Sequence, residues 1–68
     1  MIETDAQLQQ AIEQIERLYQ GLDALRKDIL PVNAHNFAIV AEGPLDEIRK
    51  LQAEIDRYVT GLEHVTGA

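Results

Sequence analysis

The 68 residues include no cysteine, no tryptophan and no serine, and each absence removes a class of explanation. Without cysteine there is no disulfide staple and no thiolate metal site, the usual supports of a chain too short to build a large core. Without serine or cysteine the common acyl-transfer nucleophiles are missing, and Thr4, Thr60 and Thr66 have no histidine and carboxylate placed to activate them. Basic residues are scarce: six lysines and arginines stand against twelve acids, for a formal net charge of -6. A direct nucleic-acid partner is therefore not expected, because phosphate binding needs a concentrated basic footprint. Long apolar runs are absent too. The longest, Phe37 to Ala41, falls far short of the roughly 20 residues of a membrane span, and the acidic N-terminus does not read as a signal peptide. No membrane partner is expected. The glycines at 21, 43, 61 and 67 form no phosphate-cradling loop.

What the chain does have is apolar periodicity. Leu8, Ala11, Ile15, Leu18, Leu22, Leu25 and Ile29 follow one another at alternating steps of three and four, a seven-residue repeat that predicts a helix. Thr4 with Gln7 matches a capping box at its start, Asp5 adds negative charge where the helix dipole favours it, and Pro31 stops it. The first helix is expected over about residues 5 to 30, some 39 Å long at about 1.5 Å per residue. A turn at 31–33 follows.

The second half repeats the pattern through Ile48, Leu51, Ile55, Tyr58, Leu62 and Val65, and the same phase runs back through Pro44, Ala41, Phe37 and Ala34. The preferred reading is one helix over about 34–62, capped by Asn33 and kinked near Gly43 and Pro44, where the proline removes the bond to the Val40 carbonyl. A short helix over 34–42 closed by Gly43, with a new helix opening at Pro44, is the alternative. A strand over Phe37 to Ala41 is a third reading, weakened by the lack of a second strand to pair with. Residues 63–68 are expected to fray. The predicted fold is all-α, a single antiparallel helical hairpin spanning residues 1–68.

With Leu8 at heptad position a, Ile12 and Tyr19 of the first helix and Leu45 and Val59 of the second fall at e. A stripe three positions wide suits a helix with two neighbours, more than one hairpin can supply. The expected solution is two hairpins face to face, a homodimeric four-helix bundle, with a tetramer as the alternative. Leu8, Ile15, Leu18, Leu22, Leu25, Ile48, Leu51, Ile55 and Tyr58 form the candidate oligomer core. On the outer faces Glu13 with Arg17, Asp23 with Lys27 and Asp46 with Lys50 read as solvated ion pairs. Gly21, inside the first helix, reads either as a close approach of another helix or as a tolerated exposed glycine.

Ile39 and Val40 fall at f and g, where polar residues belong. A fold-back of their segment, the partner subunit, or a different protein would cover them. In the last case Asn33, His35, Asn36, Phe37, Ile39 and Val40 form a candidate docking site. A carboxylate-bridged metal centre is not expected, since residue 32 before His35 and residue 61 before His64 are not glutamates and Glu13, Glu16, Glu47 and Glu54 lie off positions a and d. Tyr19 and Tyr58 read as bundle residues with rim hydroxyls. No catalytic residue, cofactor or metal is therefore assigned.

Ile2, Glu3 and Thr4 with Gln7, the run Glu42, Gly43, Pro44, Leu45, Asp46, Glu47, Ile48, and then Leu51, Glu54, Ile55, Asp56 and Tyr58 make the chain resemble small bacterial helical hairpins. These precede or are encoded beside helix-turn-helix regulators, some in antitoxin-like settings. The resemblance covers most of the chain through amphipathic patterns, and no helix-turn-helix follows, so the DNA-binding role does not carry over. It implies a cytoplasmic oligomerisation or partner-docking module. The expected function is thus a non-enzymatic, homo-oligomerising component of regulation or scaffolding. Two alternatives are a ligand- or metal-binding bundle assembled only in the oligomer, through His35 or His64 of two chains, and an acidic, antitoxin-like partner of a basic protein.

Overall fold

Two helices account for nearly the whole chain, and the residues at their ends explain where each begins and stops. A computed structural model describes the backbone of residues 1–66 and the side chains of residues 1–63. Helix α1 spans Asp5–Ile29 and α2 spans Ala34–Thr66. The capping box forms at the start of α1. The Thr4 hydroxyl accepts from the Gln7 amide at 3.2 Å, and the Gln7 side-chain oxygen accepts from the amides of Glu3 at 2.7 Å and Thr4 at 3.2 Å. Two of the donors that a helix start leaves without intrahelical partners, the Thr4 and Gln7 amides, are thereby satisfied, together with the Glu3 amide just ahead of the cap.

At the far end the Ile29 carbonyl accepts from the amides of Val32 at 3.0 Å and Asn33 at 2.8 Å, closing the turn around Pro31. Asn33 then opens α2: its side-chain oxygen accepts from the Asn36 amide at 2.9 Å. The helix passes through Gly43 and Pro44 without interruption. The split-helix and strand readings are therefore corrected in favour of one helix. Its length corrects a second expectation, because α2 continues to Thr66, a turn past the end near residue 62 and through part of the supposed frayed tail. Residues 67 and 68 of that tail lie outside the described residues.

The helices pack against each other as a hairpin that measures 53 × 18 × 16 Å, with a radius of gyration of 15.5 Å. A compact globule of this length would have about 11 Å. The molecule is a rod. Helix α2, with 33 residues against 25 for α1, overhangs its partner at the open end, and the segment ahead of α1 lies there, with Ile2 buried.

Candidate self-association face

The heptads place side chains on the seam, but two helices cannot close over it. Among the described residues only Ile2, Ala11, Ala41 and Ile48 are buried, Ile48 most deeply at 2% exposure. The other members of the candidate core, Leu8, Ile15, Leu18, Leu22, Leu25, Leu51, Ile55 and Tyr58, are half-buried along the same seam, as are Ile29 and Phe37. Each keeps one flank open. The accessible surface of 5068 Å² compares with about 4,300 Å² for a compact monomer of this mass. The excess, about 800 Å², goes with the elongated shape and is similar in size to what one partner buries in an ordinary interface.

That open surface has two unlike sides. In an antiparallel hairpin the e positions of both helices flank one side of the seam and the g positions flank the other. Two clefts fix which side is which. One, of about 370 Å³, is lined by Ile2, Glu54, Arg57, Tyr58, Gly61 and Leu62; the other is lined by Ile2, Gln7, Gln10, Gln14, Leu51 and Glu54. These are c and g positions, with a and d members of the seam. Ile2 therefore covers the g side at the open end. Nothing in the periodicity of α1 or α2 marked Ile2, and it stands one residue further from the N-cap Thr4 than the position a hydrophobic staple uses.

The e side has no such cover. Ile12 is 44% exposed, Tyr19 47% and Val59 42%, and Leu45 is half-buried beside them. Rise per residue sets Tyr19 and Leu45 at nearly the same height along the rod, about 17 Å from the turn. A second group of exposed apolar side chains, Leu30, Val32, Ile39 and Val40, sits at the turn end. Because Phe37, Ile39 and Val40 belong to the opening turns of α2, the fold-back, one of the three coverings considered for them, does not occur. Asn33 spends its side-chain oxygen on the cap, and His35 and Asn36 are exposed.

Charge is divided by side as well. Positions e and b, next to the apolar e stripe, hold Asp5, Glu16, Asp23, Glu42, Asp56 and Glu63 against Arg26 and Arg49, whereas positions g and c hold three acids, Asp28, Glu47 and Glu54, against three bases, Arg17, Lys50 and Arg57. The apolar side is the negative side. Its few cations are already engaged: Arg26 pairs with Asp23 at 2.9 Å and Arg49 with Glu42 at 3.1 Å. The Arg26 and Lys27 side chains hydrogen-bonded to Asp23 hold its carboxyl below the usual carboxylate range. Of the expected pairs, Asp23 with Lys27 and Asp46 with Lys50 form, both at 3.2 Å. The expected Glu13–Arg17 pair is corrected: Arg17 donates to Gln14 at 3.0 Å and Glu13 accepts from Gln9 at 3.2 Å. Neutral glutamines three and four residues away take these exposed side chains, whose ion pair would add little.

A Cβ at Gly21, Gly43 or Gly61 would meet no atom within 4 Å, so no close helix approach within the hairpin explains Gly21. Among the described residues no group of three or more histidines, cysteines or carboxylates could hold a metal ion, and no helix is long and apolar enough to cross a membrane. His64 lies outside the described side chains. Compared with known proteins, the chain matches no family model, no curated protein and no solved structure.

Proposed function

We propose that this chain is a non-enzymatic, self-associating helical module, two copies of which pack their e sides together as a four-helix bundle in a regulatory or scaffolding role. The carrying observation is the exposed stripe of Ile12, Tyr19, Leu45 and Val59 beside a seam of half-buried side chains. Burying about 800 Å² per partner, much of it apolar at about 25 cal/mol per Å², gives a gross driving force large enough to offset the several kcal/mol that association costs. The g side is the less suitable face, since its g positions are mostly polar residues or glycine and Ile2 already lies against it at the open end. The resemblance to hairpins found beside helix-turn-helix regulators supports the same class of role.

Thermal unfolding over a wide range of protein concentration tests the reading, because only an associating chain has a melting temperature that rises with concentration. The wild-type midpoint is expected to climb, and the double substitution Tyr19→Ser, Leu45→Ser to remove that dependence while the helical circular dichroism persists at low temperature. A wild-type midpoint independent of concentration contradicts it.

A further inference from the structure

The side of the hairpin that is apolar is also the side that carries the net charge. Along the e stripe run borders with six carboxylates and two arginines, a balance of -4 out of the chain's -6, while the g and c positions balance to zero. The border carboxylates Glu16, Asp23, Glu42, Asp56 and Glu63 are all exposed. A second copy laid on this face brings an identical acidic border with it, so its apolar complementarity comes with like-charge opposition. The chemistry that matches both features is a helix with an apolar stripe flanked by lysine or arginine.

We infer that the e side is a docking face for a basic-flanked amphipathic helix of another protein, which lies along the rod and competes with the second copy for the same stripe. The inference shares its face with the proposed self-association but does not depend on it. Leucine- or phenylalanine-type side chains of the partner fill the space beside Ile12, Tyr19, Leu45 and Val59, and its cations reach Glu16 on α1 and Glu42, Asp56 and Glu63 on α2. The borders on both helices are acidic, so the incoming helix is held between two rows of like charge. That geometry favours one helix centred on the stripe.

The test uses the full chain and two labelled synthetic peptides, one with a leucine stripe flanked by lysines and a matched one with glutamates in their place, read by fluorescence anisotropy. Binding of the lysine-flanked peptide alone is expected. The triple variant Glu16→Gln, Glu42→Gln, Asp56→Asn is expected to weaken it about tenfold, as three surface ion pairs allow. The control variant Glu13→Gln, Asp28→Asn, Glu47→Gln removes the same charge from the other faces and is expected to leave binding nearly unchanged. Ile12→Ser and Tyr19→Ser, made singly at side chains that are nearly half exposed, are each expected to weaken it several-fold with helicity retained. Equal binding of the two peptides, equal weakening by the two triple variants, or no binding at all overturns the inference. Light scattering on the same samples without peptide reports self-association separately: a chain that stays monomeric yet binds the lysine-flanked peptide sinks the homodimer and keeps this docking face, and a dimer that does not bind does the reverse.

Discussion

At the scale of the residue, the polar contacts that set the helix ends are local. Thr4 and Gln7 close the start of α1 by reciprocal hydrogen bonds, and Thr4→Ala should cost about 1 kcal/mol. For a domain this small each kcal/mol moves the midpoint by about 4–8 °C, which a melting curve resolves easily. Ile2, buried at the open end, is the less obvious anchor. Ile2→Ser should lower the midpoint by a comparable amount although the residue lies outside both helices, and an unchanged midpoint would show that the leading segment packs on nothing. Asp23 illustrates the opposite case, a visible network with little energy. Its carboxyl is lowered by Arg26 and Lys27, so the contribution is present above the unfolded pKa and lost as pH falls through the lower folded one, below about pH 4. Because the group is fully exposed, Asp23→Asn should leave the midpoint at pH 7 nearly unchanged.

At the scale of the element, the seven-residue repeat made both helices legible from Leu8 to Ile29 and from Ala34 to Leu62, and Thr4 and Asn33 marked the two starts. The end of α2 was not legible, because Gly61, Thr60 and Thr66 are weak helix formers that packing at the overhang and helix propagation override. Pro44 was read as a kink within one continuous helix, with a break as the alternative; α2 runs through it unbroken, in keeping with the apolar phase shared by Ala41 before it and Ile48 after it, both buried. Gly21 lies mid-helix with nothing within 4 Å of the place a Cβ would take, on the g side rather than the e side. Gly21→Ala should therefore stabilise α1 by about 1 kcal/mol, raising the midpoint by about 4–8 °C. Destabilisation instead would place a second helix against the g side and contradict the choice of face.

At the scale of the whole molecule, the sequence showed that too many apolar residues exist for one hairpin, but not where the surplus and the charge would sit relative to each other. That needs the hairpin topology, which sets e beside e and g beside g and so gathers Glu16, Asp23, Glu42, Asp56 and Glu63 around one apolar stripe. At the turn end Asn33 serves the cap the sequence assigned it and Phe37 lies half-buried on the seam, which leaves His35, Asn36, Ile39 and Val40 of the candidate docking residues exposed. The side-by-side placement of charge and apolar surface predicts an uncommon salt response: added salt should tighten self-association, by screening the acidic borders, while it weakens any basic partner held there. The most direct measurement is the molar mass of the purified chain by light scattering during size exclusion, at several loading concentrations and at low and high salt. Twice the chain mass of 7.6 kDa, reached at lower concentration when salt is high, is the predicted result; a mass of 7.6 kDa under every condition would contradict the shared apolar face.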